Sequence, residues 1–331
     1  TYREGVFAVD RPEGALMQHY TSAERGTGAE QVVLAVGHSA RDCFAMLHQV
    51  GVSLEPKAFA VGLRIEHPQP LIDRARWGPA AGHPRLGAAE YKLVHHCSGQ
   101  GAAGRSVYSF CMCPGGLVVG ATSELGRVVT NGMSQHSRNE RNANSGIVVN
   151  IEPEDVAPYG HGAGDPLAGV AFQRHWEGQA YALGGETFAA PGQRLGDFLA
   201  GRSSQATGSV QPSYAPGVTL TDLSSALPDY AIEALREALP TFNSKIAGYA
   251  MDDAMLTGVE TRTSSPVRLP RNEQLESINT PGLYPAGEGA GFAGGILSAA
   301  MDGIRVAEAL GLTLLRQQHP EAPGESACGP T

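Results

Sequence analysis

The sequence predicts an α/β protein with an α+β insertion: a strand–glycine–helix unit stands near each end of the chain, and a long segment separates the two. Residues 31–36 and 283–284 are apolar stretches, and each leads through glycine into residues with helical periodicity. Between residues 57 and 150, short apolar stretches alternate with glycine and proline, which is typical of antiparallel strands. These observations favour a discontinuous two-domain organisation.

The predicted division places one domain at residues 1–55, an inserted domain at residues 56–274, and a return to the first domain, with a polar tail, at residues 275–331. Six β-rich stretches open the insertion, among them RSVYSFCMC (105–113) and GLVVGA (116–121). Two amphipathic helices follow, the second at residues 230–242. The residues GVETRTSSPVRL (258–269) are predicted to form a pair of strands that returns toward the C-terminal loop.

The first strand–glycine–helix unit begins with QVVLAV, residues 31–36, which is an uninterrupted apolar run. Such a run is typical of a parallel strand that is buried on both faces. Gly37 ends the strand, and an amphipathic helix follows until Gly51 stops it. Arg41 comes just after the strand, at the edge where α/β proteins bind ligands, and is therefore a candidate for contacting a phosphate.

The second unit contains a glycine-rich loop followed by a helical pattern. Apolar residues repeat with helical spacing from Ile296, so we expect a helix that begins near Gly294 and ends at Gly311. Free N–H groups and the positive end of the helix dipole make such an N-terminus a site for anions. The alternative is a tight turn in which glycine serves only the backbone geometry.

Residues 289–294 (GAGFAG) match the pattern G-x-G-x-x-G, which binds dinucleotides when it opens a βαβ unit. Here the predicted helix runs into a polar tail, and no second βα unit is expected after it. The loop is therefore predicted to close a nucleotide site from the C-terminal side. Glu288 stands beside this loop, where a carboxylate either bonds a ligand hydroxyl or only complements the helix dipole.

Composition excludes several classes of function. A net charge of −9 argues against a nucleic-acid partner, because binding to phosphates needs basic patches. No run of 18 apolar residues is present, so we expect no membrane span, and a small molecule is the expected partner. Five cysteines make an odd count, which favours a reducing compartment and a cytoplasmic location over a disulfide framework.

The most specific candidates for chemistry in the insertion are Cys111 and Cys113. On a regular strand, residues i and i+2 share a face, so both thiols are expected to point the same way and to support thiol–disulfide chemistry. The alternative is a pair of small buried side chains before a Pro-Gly-Gly turn. The neighbouring run His95-His96-Cys97 is expected to be a solvated loop, and we predict no metal site.

Two arginines and one histidine are weaker catalytic candidates. Arg262 and Arg268 stand shortly before the glycine-rich loop and are candidates for orienting an acidic substrate, with ordinary salt bridges as the alternative. His67 follows Arg64 and Glu66 along a predicted strand and is a candidate acid or base near neutral pH. A buried histidine with a satisfied hydrogen bond is the alternative for that position.

Several long stretches together resemble an uncharacterised family of FAD-dependent dehydrogenases or oxidoreductases, which is itself similar to flavoproteins with two dinucleotide-binding domains. The stretches are VVLAVGHSARD (32–42), VGLRIEHPQ (61–69), FCMCPGG (110–116), NGMS (131–134), GVETRTSSPVR (258–268) and YPAGEGAGFAGGILSAAMDG (284–303). The resemblance implies FAD as the cofactor, and it implies that the terminal segments form a partial, discontinuous, Rossmann-like FAD-binding domain. It also implies a set of cofactor-binding residues: Gly37, Arg41, Gly287, Glu288, Gly289, Gly291, Gly294, Gly295 and Ile296.

By the same resemblance, Gly287 and Glu288 lie by the ribityl–pyrophosphate part of FAD, and the N–H groups around Gly294 face the isoalloxazine ring. One departure from the family concerns the start of the chain. Family members begin with a βαβ unit whose G-x-G-x-x-G holds the ADP half of FAD, and no such unit precedes residue 31 here. We therefore expect a fragment of a longer chain, which by itself binds FAD weakly or not at all.

The sequence thus predicts an FAD-dependent oxidoreductase, with NAD(P)H as a candidate electron donor. Two alternatives stay open: a non-catalytic flavin- or nucleotide-binding module, and a truncated product without bound cofactor.

Overall fold

A computed structural model of the chain describes residues 7–10, 17–20, 31–162 and 164–318. The chain divides into two compact units. The first unit comprises Thr1–Lys57, Gly164–Leu167 and Ser264–Thr331, and the second comprises Ala58–Ala163 and Ala168–Thr263. The domain boundaries given above, at residues 1–55, 56–274 and 275–331, stay predictions.

The strands, in chain order, are β1 (Phe7–Asp10), β2 (Met17–Tyr20), β3 (Val32–Leu34), β4 (Glu55–Pro56), β5 (Phe59–Pro68), β6 (Val94–His96), β7 (Ser106–Gly120), β8 (Thr130–Ser134), β9 (Asn142–Ile151), β10 (Ala190–Arg194), β11 (Val218–Leu220), β12 (Met255–Glu260), β13 (Val267–Arg268) and β14 (Leu283–Pro285). The helices are α1 (Arg41–Gln49), α2 (Gln69–Trp77), α3 (Pro153–Val156), α4 (Ala168–Leu183), α5 (Leu195–Leu199), α6 (Asp229–Thr241) and α7 (Ile296–Gln318).

The second unit is built on one sheet with the strand order β11-β10-β12-β5-β9-β7-β6, and β8 pairs with β7. Its centre is the antiparallel pair β5–β9, which is in continuous register from Phe59↔Ile151 to Pro68↔Asn142. Helices α2, α4 and α6 contact the sheet. Their apolar faces and the strands share one core, which includes Leu63, Ile147 and Phe172. The burial of these side chains is the main stabilising contribution to the unit.

The first unit contains three small two-stranded sheets within its described residues: β1–β2, β4–β13 and β3–β14. The pair β3–β14 is parallel, with Val32 opposite Leu283 and Leu34 opposite Pro285. Tyr284 of β14 and Val306 of α7 belong to a small apolar cluster. A large mixed sheet packed with helices, together with this parallel pair, confirms the mixed α/β class.

Three predictions about individual elements were wrong. The strand predicted at residues 31–36 is shorter, and Val33 is 46% exposed, because β3 pairs within the described residues only with β14. The strands predicted at 105–113 and 116–121 form the single strand β7. The helix expected to end at Gly311 continues to Gln318, since a glycine without a left-handed backbone costs a helix only about 1 kcal/mol.

The pairing predicted within residues 258–269 was also wrong. Strand β12 pairs with β5 and β10, whereas β13 pairs with β4. The two strands belong to different compact units. No helix in the described part of the chain is both long enough and apolar enough to cross a membrane.

Candidate functional site

The candidate site of the first unit is the segment after β14, residues 286–295, which we call the glycine loop. Because β3 and β14 are parallel, both strands end at the same edge of their sheet, and the N–H of Ala286 donates to the carbonyl of Leu34 over 2.8 Å. This brings the glycine loop against Gly37. A Cβ atom at Gly289 would lie 2.5 Å from the carbonyl oxygen of Gly37, so only glycine fits there.

A second close approach fixes the middle of the glycine loop. Gly291 has a φ of +82°, and a Cβ atom at this position would lie 2.8 Å from the carbonyl oxygen of Val267. Both facts exclude an ordinary side chain. The loop is therefore held on one side by Gly37 and on another by β13.

The end of the glycine loop is open. Cβ atoms placed at Gly294 and Gly295 would meet no atom within 4 Å, and Ile296, the first residue of α7, is 89% exposed. The N–H of Gly294 donates to the Ser298 hydroxyl over 3.2 Å. The N-terminus of α7 thus has free space beside a bare backbone. That arrangement fits an anionic or dinucleotide ligand.

Asp302, on α7, ties the helix to the glycine loop. Its Oδ2 accepts the N–H of Gly287 at 2.7 Å, and its two oxygens accept the guanidinium fork of Arg271 at 3.0 and 3.1 Å. Burial acts to raise the pKa of Asp302, but the bonds from Arg271 and Gly287 hold it below its ordinary value. The carboxylate therefore stays charged at neutral pH.

Positive charge lies beside the same loop. The Arg271 guanidinium stacks on the Phe292 ring at 3.6 Å, and Arg268 lies over it at 5.6 Å. Lys57 borders Gly291, and its Nζ donates to the carbonyl of Ser265 over 3.5 Å. Burial and the nearby Arg268 lower the pKa of Lys57, while Glu288 acts to raise it. The loop is thus flanked by cations, with Glu288 as a local counter-charge.

Asp302, Arg271 and Lys57 were not among the site residues predicted from the sequence. Asp302 and Arg271 form a pair across 31 positions, and Lys57 reaches the loop from the other end of the chain. The available signal was a carboxylate on the predicted helix in MDG, close in sequence to the glycine run. Arg41, which was predicted as a phosphate contact, lies buried at the start of α1, and its role stays a prediction.

Arg262 and Arg268, the two candidates for orienting an acidic substrate, differ in their surroundings. Arg262 belongs to the second unit, where its guanidinium bonds Glu177 at 3.1 and 3.2 Å and the Ser123 hydroxyl at 2.6 Å. Arg268 belongs to the first unit and is exposed. The ion-pair alternative therefore describes Arg262, because its guanidinium already bonds the buried Glu177 carboxylate and the Ser123 hydroxyl.

His67 lies fully buried in the second unit. Its Nε2 donates to the carbonyl of Tyr249 over 2.7 Å, and its ring packs on the Tyr249 ring with centroids 4.4 Å apart. Burial lowers the pKa of His67 to about 4, which the bond to Tyr249 opposes. The structure thus places His67 as a neutral core histidine, the alternative left open above, and not as an accessible acid or base.

Cys111 and Cys113 were predicted to share a face of β7, and this prediction was wrong. The pairing of β7 with β9 is irregular between Phe110 and Cys113, and Cys111 has a left-handed φ of 45°. Because of this irregularity, Cys113 is buried while Cys111 is exposed. The strand geometry on which the prediction rested does not hold at these residues.

The expectation of a solvated loop at His95-His96-Cys97 was wrong, since both histidines lie on β6. His95, Cys97 and Glu237 of α6 bring their ligand-type atoms within 4.8 Å of one another. Glu237 accepts from the His95 ring at 3.0 Å and from the N–H groups of Ser98 and Gly99 at 2.9 and 3.0 Å. The carboxylate thereby fastens the turn after β6 to α6, which is a structural task.

A surface cavity of about 660 Å³ opens in the second unit beside α2. Two of its polar lining residues, Gln69 and Asp73, are bonded to each other at 2.7 Å. Asp73 also accepts the N–H of Ala89, and Gln69 accepts the N–H of Gly115. These side chains hold neighbouring loops in place, so their polar atoms already serve the fold. The glycine loop is therefore the better candidate for binding a ligand.

Comparison with known proteins adds two findings. The family model described as "FAD-dependent protein, C-terminal domain-like" matches residues 58–263, which span the second unit together with the short segment Gly164–Leu167. An uncharacterized protein of Clostridium beijerinckii is 55% identical over 279 residues, which are 84% of this chain and 51% of that protein. The chain thus spans about half the length of this curated relative.

Proposed function

This chain belongs to the family of FAD-dependent proteins with this C-terminal domain, and from that premise we propose that it is part of an FAD-dependent oxidoreductase acting on a small molecule. The observation that carries the proposal is the open end of the glycine loop, where bare backbone meets the N-terminus of α7. We further propose that the first unit is part of a divided, Rossmann-like FAD-binding domain, and that the second unit is its insertion.

In this proposal the chain's own residues bind and orient FAD. Backbone N–H groups at Gly295 and Ile296 donate to the cofactor, and Lys57 and Arg268 complement its negative charge. Asp302 holds Gly287 in position through its charged hydrogen bond. When bound, FAD supplies the electron- and hydride-transfer chemistry that none of these side chains provides. NAD(P)H is the electron donor that we propose.

A fluorescence titration with FAD tests the binding site directly, and gel filtration of the mixture shows whether the flavin is retained. Gly295→Val should weaken FAD binding at least tenfold, because the new side chain occupies the open space at the loop. Gly311→Val is the matched control: it lies later in α7, also in open space, and should leave binding unchanged. Equal weakening by both variants would contradict the proposed site.

The full-length Clostridium beijerinckii relative serves as a second sample in the same titration. FAD binding by the relative together with weak binding by this chain would agree with a site that also needs residues from the half of the relative that this chain does not match. Absence of binding by both proteins would refute the flavin proposal itself.

The catalytic part of the proposal needs a separate measurement. Anaerobic addition of NADH or NADPH to the FAD-loaded protein should bleach the flavin absorbance, because the oxidised ring gains two electrons. Bound flavin that neither donor reduces would favour the alternative, a flavin-binding module without this activity.

A further inference from the structure

The two cysteines of β7 form a site that the proposed function does not use. Cys111 has a left-handed φ of 45°, so β7 departs from its regular pairing with β9 just before Cys113. The chain is therefore locally compact at this position rather than extended. Cys111 is left exposed, and Cys113 turns into the protein, where it is 6% exposed.

The titrations of the two thiols depend on each other, because the state of one side chain changes the stability of charge on the other. In addition, the Cys113 thiol lies 3.3 Å from the carbonyl oxygen of Cys111. A disulfide requires two sulfur atoms that approach each other without movement of the backbone. The left-handed backbone at Cys111 turns β7 so that the Cys113 thiol folds back onto residue 111, whereas a regular strand would keep this stretch extended.

A fixed positive charge stands beside the pair. Arg64 of β5 is fully buried, and its guanidinium donates to the Cys111 carbonyl over 2.8 Å. Glu260, Asn131 and Asn144 hold the guanidinium at 2.6–3.2 Å. Because these bonds lock the arginine in place, its charge is available to stabilise a thiolate.

The electrostatics assign different roles to the two thiols. The hydrogen bond from Cys113 and the charge of Arg64 lower the pKa of Cys111 to about 6, although burial opposes them. The same hydrogen bond, burial and the negative charges of Cys111 and Glu260 raise the pKa of Cys113, while Arg64 opposes this. Tyr91 is a further titratable group that lies near Cys113. At neutral pH, Cys111 is the thiolate and Cys113 the thiol.

We propose that Cys111 and Cys113 form a thiol–disulfide exchange site for small disulfide molecules. The Cys111 thiolate attacks one sulfur of the disulfide RSSR, a bond forms between the two sulfurs, and one thiolate RS⁻ leaves. Cys113 then loses its proton, attacks the Cys111 sulfur, and displaces the second RS⁻. The two protein thiols are oxidised to one disulfide by two electrons, and RSSR is reduced to two thiols.

The aromatic disulfide dithiobis(nitrobenzoate) is a suitable probe, because each exchange step releases one coloured thiolate. The chain should release two equivalents in a fast phase and retain no adduct on this pair. Cys113→Ala should release one equivalent and keep the adduct on Cys111, and Cys111→Ala should lack the fast phase. Cys43→Ala is the matched control, since Cys43 is a half-exposed thiol whose pKa burial raises, and it should keep the fast phase.

The pH of the measurement makes the test sharper. At pH 6, about half of a thiol with a pKa of 6 is ionised, against about 0.3% of an ordinary thiol. The thiolate with the lower pKa is also less basic, which reduces its intrinsic reactivity roughly tenfold. Cys111 should therefore react about tenfold faster at pH 6 than free N-acetylcysteine.

Peptide mass mapping of the oxidised chain should find residues 111 and 113 joined and lighter by two hydrogen atoms. A single equivalent from the unsubstituted chain, with a stable adduct on Cys111, would overturn the proposal. So would a rate at pH 6 no higher than that of the free thiol.

Discussion

Replacing His67 by glutamine should make the second unit less sensitive to acid. The ring of His67, on strand β5, is fully buried and packs on Tyr249, and its Nε2–H donates to the Tyr249 carbonyl over 2.7 Å. A glutamine amide also donates a hydrogen bond but does not titrate, so His67→Gln removes the protonation while keeping a donor.

The magnitude follows from the pKa of His67, which burial lowers from 6.5 to about 4 in the folded chain. The unfolded chain binds a proton near pH 6.5, whereas the folded chain does not bind it until about pH 4. The contribution of His67 to stability is therefore complete above pH 6.5 and is lost as the pH falls toward 4. The full loss is about 3 kcal/mol, and roughly 2 kcal/mol of it is lost by pH 5.

Urea unfolding at pH 7.5 and pH 5 measures this effect. Both tryptophans, Trp77 and Trp176, lie in the second unit, so their fluorescence reports on the unit that contains His67. Other groups titrate over the same range, and the comparison with His67→Gln subtracts them. The unsubstituted chain should lose about 2 kcal/mol more than the variant between the two pH values. Equal losses would refute the argument that the folded chain keeps this imidazole neutral.

Two further predictions concern the first unit. Asp302→Asn leaves the buried Arg271 guanidinium without its counter-charge. Amide hydrogen exchange in α7 should therefore accelerate by an amount equivalent to about 3 kcal/mol. Unchanged exchange would show that the ion pair does not hold the helix. Gly289→Ala places a methyl group 2.5 Å from the Gly37 carbonyl and should lower the melting temperature. Gly303→Ala, in open space on α7, should raise the helix stability by up to about 1 kcal/mol, and a similar loss in both variants would contradict the close approach at Gly289.

Local sequence patterns predicted the elements that depend on neighbouring residues. The apolar run before Gly37 predicted a parallel strand, and the helical spacing after the glycine loop predicted α7. These patterns succeed because periodicity is a property of a few consecutive residues. They failed at Gly311, which was predicted to end the helix. A single glycine costs a helix only about 1 kcal/mol, and α7 continues through it to Gln318.

Charged side chains were predicted less well, since their partners are distant in the sequence. Arg262 was a candidate for orienting a substrate, but its guanidinium bonds Glu177, which lies 85 positions earlier in the sequence. Arg64 bonds Glu260 across 196 positions, and no local pattern identifies that pair. Buried charges need such partners, because an unpaired charge in the interior is costly.

The sequence by itself determined the mixed α/β class, the glycine loop and the helix that follows it, because glycine spacing and apolar periodicity are encoded over short stretches. Only the tertiary structure decided how Asp302 holds Gly287, and how Cys113 is turned toward Cys111 beside Arg64. These arrangements depend on the left-handed backbone of one residue and on contacts between distant segments. Such contacts form only when the whole chain is folded, since they are held by packing rather than by local propensity.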